Sequence, residues 1–244
     1  MLVTRFIGVE ASMVMQGTVN PPPLARLVRS QDTPPIYRKE LQMPSVFLVS
    51  DTHFGHAGVC RFTHNDTGIK IRPWDNPDEM DEAMVEMWNK TVRPNDKVYH
   101  LGDVVITRKS LQILDRLNGD KVLIRGNHDI FKMDDYTKYF RDIRGYHVMN
   151  NMILSHIPVH PDSKGRFGAN IHGHLHSNRV RKPRGVDAKT GEILYSNDID
   201  PWYYNVSVEQ TGFKPILFEN VLQKIKEQGQ AEYTYEGFGK FEFE

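Results

Sequence analysis

One event recurs along this chain and constrains it more than any other feature: a short apolar run ends, and a cluster of Asp, Asn or His follows at once. Val46-Phe47-Leu48-Val49 leads into Ser50-Asp51-Thr52-His53. Lys97 to Leu101 leads into Gly102-Asp103, and Lys121 to Ile124 leads into Arg125-Gly126-Asn127-His128-Asp129. Met152-Ile153-Leu154 leads into Ser155-His156, and Ala169-Asn170-Ile171 leads into His172-Gly173-His174-Leu175-His176. Apolar runs of this length bounded by turn residues read as buried strands. An Asp or His after one strand is most simply a turn former. Five turns that all carry metal-competent groups are a different matter, because open α/β sheets bind ligands outside the carboxyl ends of their strands.

Helix signals lie between the strands. Asn76 to Val92 has Pro77 near its start, acids in the first turn and spaced Met80, Met84, Met87 and Trp88, which predicts a helix. Shorter helices are predicted over Arg108 to Leu117, Asp134 to Phe140 and Glu219 to Gln228. Asn205 to Val208 and Lys214 to Phe218 read as further strands. Alternating strands and helices indicate an α/β fold.

Three segments are expected: a proline-rich N-terminal arm over 1–43, a compact domain over 44–230 and a C-terminal tail over 231–244. The arm carries Pro21-Pro22-Pro23 and Pro34-Pro35, which cannot join a central sheet. The tail, rich in Tyr, Phe and Glu, reads as an edge strand or a loose end. No apolar run approaches the roughly 18 residues that span a bilayer, and no secretory signal is recognisable, so a cytoplasmic protein without membrane attachment is expected. A single cysteine, Cys60, excludes an intrachain disulfide and a cysteine-built zinc site. Any metal must then be held by His, Asp, Glu or Asn. The formal net charge of zero argues against coating nucleic acid broadly, though not against a local basic groove.

In order and spacing, Asp51-Thr52-His53, Gly102-Asp103, Gly126-Asn127-His128-Asp129, Ser155-His156 and Gly173-His174-Leu175-His176 resemble the five signature blocks of the calcineurin-like metallophosphoesterases. The resemblance runs from Ser45 to about Leu222 and includes Asn205-Val206-Ser207-Val208, similar to the strand that closes the family's core. It implies a two-sheet α/β sandwich flanked by helices, with a dinuclear metal site at the carboxyl ends of the strands. It further implies that Asp51, His53 and His176 hold one divalent ion, that Asn127, His156 and His174 hold a second, and that Asp103 bridges them. His128 would stand beside the ions as proton donor or charge stabiliser. The implied activity is hydrolysis of a phosphate ester by a water that two ions activate. Carboxylate oxygens with neutral imidazoles suit Mn²⁺ best, with Fe, Zn²⁺ or Mg²⁺ as alternatives.

Other residues have competing readings. Asp129 either orients the His128 ring from behind or caps a helix N-terminus. His172 is expected buried behind the ligands. His56 either contacts substrate or supports the metal, against the plain reading of a surface histidine. Arg72, in Ile71-Arg72-Pro73-Trp74, either grips a phosphate or is an ordinary solvated side chain. Arg179, Arg181, Lys182 and Arg184 form a basic run within a long 177–203 segment, read as a hairpin flap with Gly185 and Gly191 as turn points. A small nucleotide-like phosphoester is the expected substrate. A nuclease acting on DNA or RNA is the first alternative, and a non-catalytic scaffold the second. Oligomeric state is left open.

Overall fold

In the computed structural model, which describes residues 43–64 and 67–229, the first apolar run forms β1 (Val46–Val49). Then come α1 (Pro77–Thr91), β2 (Lys97–His100), a 3-10 helix (Arg108–Arg116), β3 (Asp120–Ile124) and the single turn α2 (Met133–Tyr136). β4 (Asp142–Arg144), β5 (Tyr146–Met149), β6 (Met152–Ser155) and β7 (Ala169–His172) follow. The chain continues through β8 (Arg181–Val186), β9 (Ile193–Ile199), β10 (Tyr203–Asn205), α3 (Val208–Thr211), β11 (Ile216–Leu217) and α4 (Phe218–Glu227). The expected arm, apart from Met43, and the expected tail over 231–244 lie outside the described residues.

β1 to β4 run parallel in a five-stranded sheet of order β11-β1-β2-β3-β4, with β11 antiparallel at one edge. A second sheet has the order β10-β7-β6-β5, with only β5 antiparallel. Successive strand side chains point to opposite faces, so Leu48, Tyr99, Val122 and Ile124 of the first sheet meet Leu154 and Ile171 of the second. Phe218, Val221 and Ile225 of α4 join that cluster. Phe47, Val49, Val98 and Leu123 face the other way, onto Met80, Met84 and Trp88 of α1 and Leu111 and Leu114 of the 3-10 helix. Burial on both faces is why these strands read as continuous apolar runs. The result is the α/β sandwich of two sheets flanked by helices that the resemblance implied.

α1 matches its sequence signals. The Asn76 side chain accepts from the Glu79 amide at 2.9 Å, Pro77 opens the helix, and Met80, Met84 and Trp88 bury one stripe. The chain turns extended at Val92, two residues before Pro94. Elsewhere the elements differ from expectation. β4 and β5 carry no apolar run and are half-buried or exposed, so nothing in their sequence announced them. The strand expected over Asn205 to Val208 stops at Asn205, because the Asn205 Oδ1 accepts both the Ser207 amide (2.8 Å) and its hydroxyl (2.7 Å). That turn starts α3 at Val208. The strand expected over Lys214 to Phe218 shrinks to two residues, with Phe218 already in α4.

The 177–203 segment does form a hairpin, β8 against β9. Gly191, at φ +74°, serves its turn, where the Asp187 carboxylate accepts the Lys189 and Thr190 amides. Gly185 is not a turn point: it pairs with Leu194 inside the ladder. No helix among the described residues is long and apolar enough to cross a membrane.

Candidate metal centre

The strand ends converge as parallel topology requires. β1 delivers Asp51 and His53, β2 delivers Asp103, β3 delivers Asn127 and His128, β6 delivers His156, and β7 delivers His174 and His176. Two groups of ligand atoms result, Asp51 with His53 and His176, and Asp103 with His156 and His174, each lying within 4.8 Å of one another. Asp103 Oδ2 is 3.6 Å from His53 Nε2 and 3.4 Å from His156 Nε2, so one oxygen faces both groups. Asn127 Oδ1 is 2.9 Å from His156 Nε2 and 3.0 Å from His174 Nδ1, which puts it in the second group. The exposed His128 ring stands 5.5 Å from that of His53.

The backbone is bent to achieve this. Eight non-glycine residues among those described have φ between +46° and +67°, and five of them are Asp51, His53, Asp103, His174 and His176. Such residues cost of order 1–3 kcal/mol each and persist where the surroundings over-determine them, which is typical of functional sites. Packing here tolerates no side chain at two glycines. A Cβ on Gly126 would come within 2.6 Å of the Asp103 amide nitrogen, and one on Gly173 would collide with the Ser50 hydroxyl and the Asp51 carboxylate. Both glycines are required by close approach.

Each carboxylate has one oxygen tied and one free. Asp51 Oδ2 accepts the His174 amide and the Ser207 hydroxyl, both at 2.9 Å, whereas Asp51 Oδ1 is buried with no hydrogen-bond partner among the described residues. Asp103 Oδ1 accepts the His128 amide at 2.8 Å, leaving Oδ2 to face the histidines. His156 Nδ1 donates to the Leu101 carbonyl at 2.7 Å, which leaves Nε2 to face Asp103 and Asn127. His176 Nδ1 meets Glu209 Oε1 at 2.9 Å, so its Nε2 is the available donor. Both nitrogens of buried His53 lack a hydrogen-bond partner among the described residues. Buried polar atoms left without partners are costly, and a cation held by Asp51 Oδ1 and His53 Nε2 would give both of those atoms a partner. The donors present thus fit two divalent ions.

Further side chains position the donors, and the sequence revealed only some of them. Asp129 neither touches the His128 ring nor caps a helix. Its Oδ2 accepts the amides of Asp103 (2.9 Å) and Gly126 (2.8 Å), and its Oδ1 accepts that of Val104 (3.0 Å), riveting the β2 loop to the β3 loop. His172 is buried as expected, and donates from Nδ1 to the Gly173 carbonyl at 2.7 Å. His56 is half-buried with its ring 5.5 Å from that of His53. Arg72 corrects its phosphate-gripping reading. The residue is 0% exposed, and its guanidinium donates to the carbonyls of Asp51 (2.6 Å) and Thr52 (2.8 Å) and pairs with Glu209 at 2.7 Å. No face of it is left for substrate. Glu209 went unnoticed because a one-turn helix leaves no periodicity, yet it links Arg72 to His176. His100 was also missed: it accepts the Gly102 amide and bonds the Thr52 hydroxyl at 3.0 Å.

Charge follows environment. Burial pushes the Asp103 carboxyl up, but the hydrogen bond and charge of a protonated His156 and the bond from the His128 amide outweigh this and hold it at about 2, so it is anionic at neutral pH. Burial, with Arg72 nearby, pushes His53 well below its ordinary value and keeps it neutral, the form in which imidazole binds metal. Burial likewise takes His172 down to about 4 and His100 to about 3. At His176 burial is outweighed by the hydrogen bond and charge of Glu209, and the imidazole is raised.

Comparison with known proteins agrees with this geometry. The family model described as calcineurin-like phosphoesterase matches residues 44–226. An uncharacterized protein of Methanocaldococcus jannaschii is 33% identical over 200 residues, 80% of this chain and 98% of that protein. The gene 66 protein of Mycobacterium phage D29 is 31% identical over 175 residues, 57% of this chain and 82% of its own length. A crystal structure of a protein of unknown function from Aquifex aeolicus superposes with a TM-score of 0.53 at 25% identity, covering 74% of this chain and 99% of its own. With the model spanning the whole described fold and its donor-bearing loops, this chain belongs to the calcineurin-like phosphoesterase family and is a metal-dependent phosphoester hydrolase.

Proposed function

We propose that the enzyme hydrolyses a phosphodiester of a small, nucleotide-like substrate, with Mn²⁺ as the favoured metal. The observation that carries this reading is Asp103 Oδ2, 3.6 Å and 3.4 Å from a histidine of each donor group, with His128 exposed beside it. Asp51, His53 and His176 would hold one ion, and Asn127, His156 and His174 the other, with Asp103 shared. Bound there, two such ions would supply Lewis acidity to a phosphoryl group and to a nucleophilic water. Hydrolysis forms a bond from water oxygen to phosphorus and breaks the ester P–O bond. A His128 imidazolium, free of the donor groups, then protonates the leaving alkoxide. The donor set of carboxylates, imidazoles and one amide, without thiolate, favours Mn²⁺ over softer-ligand metals. Cys60, the one cysteine, is buried, in keeping with a reducing, cytoplasmic setting. A nuclease acting on longer strands is the second reading, favoured by the basic residues on the exposed strand β8.

The test is hydrolysis of an aryl phosphodiester and an aryl phosphomonoester with Mn²⁺ and with chelator. Manganese-dependent diester turnover is expected. Asp103→Ala should lose both turnover and bound metal. His128→Ala should keep its metal and lose about 10²-fold or more in kcat, the usual share of a general acid. Tightly bound metal with no turnover of the diester overturns the reading.

A further inference from the structure

A cleft of about 630 Å³ opens beside the donor groups, between residues 61–64 with Ile71 on one side and the base of the hairpin on the other. That volume lies within the roughly 300–1,000 Å³ of small-ligand sites. One wall carries Arg61, Phe62 and Ile71, and the other Ser177, Asn178 and Arg181. Two features tie the cleft to the metal centre. Ser177 directly follows His176. The His56 ring lies 5.5 Å from His53 on one side and 6.1 Å from Phe62, edge to face, on the other.

The walls are built rather than loose. The Ile71 amide donates to the Phe62 carbonyl at 2.9 Å, and the Asn205 amide group donates to the Asn178 carbonyl at 2.8 Å. Arg61 and Arg181 both line the cleft as exposed cations, and neither has an ion-pair partner among the described residues. Arg72, the arginine that the sequence suggested for phosphate, is spent on Glu209 and backbone carbonyls. Phe62 is 47% exposed, which leaves an aromatic ring open on a polar cleft, and such a ring takes a base by stacking.

Resting on the diester hydrolysis proposed above, we infer that this cleft is a second-phosphate and base subsite. The substrate is then a linear dinucleotide or short oligonucleotide end. Its scissile phosphate lies at the donor groups, and its neighbouring terminal phosphate lies between Arg61 and Arg181 with the base against Phe62. A cyclic mononucleotide has one phosphate, which the metal centre takes, and would leave both arginines unmatched. Arginine suits the role because its planar fork binds phosphate through paired N–H groups.

Two measurements decide it. The first is the ratio of kcat/KM for a 5′-phosphorylated dinucleotide to that for an aryl phosphodiester. Arg61→Ala and Arg181→Ala should each lower this ratio about tenfold, the effect of one charge-assisted hydrogen-bonding group. Removing the terminal phosphate from the dinucleotide should erase the difference between variants and wild type. Lys189→Ala, in the hairpin turn outside the cleft, should leave the ratio where it was. The second is binding of a 5′-mononucleotide to the metal-stripped protein by calorimetry, where each arginine variant should weaken affinity about tenfold and Phe62→Ala should weaken it too. An equal fall on both substrates, a ratio indifferent to the terminal phosphate, or unaltered mononucleotide binding overturns the subsite. If no ester is turned over with any divalent ion, the diester reading fails, while the binding arm still decides whether the cleft takes a nucleotide.

Discussion

The donor loops and the β8–β9 hairpin sit a few residues apart in sequence and obey opposite rules. At the donor loops the side chains are tied in place: Asp129 holds three amides, Glu209 ties Arg72 to His176, and Gly126 and Gly173 leave no space for a methyl group. On the hairpin every residue of β8 is exposed, and Val186, Ile193 and Tyr195 face water. Its ladder is irregular around Pro183. The difference separates what the chemistry must hold fixed from what it leaves free. Holding two cations close together demands over-determined geometry, because misplacement of even about 1 Å is costly in rate. An exposed loop carried by the rigid part is free to vary without disturbing it.

The sharpest way to break the comparison is to cut one tie in the rigid region. Glu209 pairs with a fully buried Arg72, so Arg72→Leu leaves the carboxylate buried with its partner gone and frees the carbonyls of Asp51 and Thr52. Removing one member of a buried pair costs about 3–5 kcal/mol, to be read from denaturant unfolding of the metal-stripped protein. Glu209→Gln should be milder in stability, since the amide oxygen still accepts one bond. It should nevertheless weaken metal affinity about 10–100-fold through His176, the usual cost of losing a partner behind a ligand. Unchanged metal affinity in Glu209→Gln would mean that the His176 orientation is set elsewhere.

These same ties mark the limit of what was legible in the sequence. The donors were readable because each follows a strand that is apolar on both faces, a pattern with few alternatives. The α/β class followed from the alternation of strands with helices, and the two-sheet sandwich from the family resemblance. Asp129 was noticed, but its partners were not foreseeable, because its bonds run to amides of Asp103 and Val104 from a different strand end. Arg72 was noticed for the wrong reason, since sequence gives no depth and an arginine beside Pro73 reads as exposed. Glu209 and His100 carried no local signal at all. β4 and β5 stayed hidden because half-exposed strands of three and four residues lack both an apolar run and a clean alternation.

A smaller effect tests the boundary of the rigid region. Asp81 of α1 is buried, and its two oxygens accept the Gly55 amide, at 3.1 Å and 2.9 Å, between His53 and His56. Burial, opposed by that bond and reinforced by Asp78 and Glu82, pushes its carboxyl up from 3.8 to about 6. The folded state therefore keeps a proton that the unfolded chain has released. The stability this contributes is fully present below about pH 4 and is lost as pH rises through about 6. Asp81→Asn keeps an acceptor for Gly55 and cannot ionise. Unfolding of wild type and variant in chelator, at steps from pH 4 to 7, should show the variant gaining on wild type as pH rises. A difference that stays flat would mean that Asp81 is ionised throughout.

The smallest expected effect lies at the hairpin, and its smallness is the point. Val186→Ser and Ile193→Ser remove apolar groups that are already 63% and 55% exposed, so little burial is forfeited and stability should move by no more than about 0.5 kcal/mol. A two-stranded ribbon alone is marginal in water. This one is pinned at its base, where the Asp200 amide donates to the Val180 carbonyl at 2.9 Å and Asn205 holds the carbonyls of His176 and Asn178. Asn205 also sets the last donor loop through the His176 carbonyl, so that part of the base belongs with the metal centre and the outer ladder is free to vary. Loss of more than about 1 kcal/mol in either serine variant would exceed what an exposed side chain can forfeit. It would mean that the outer ladder is covered in solution, and the contrast between a fixed centre and an open hairpin would fail.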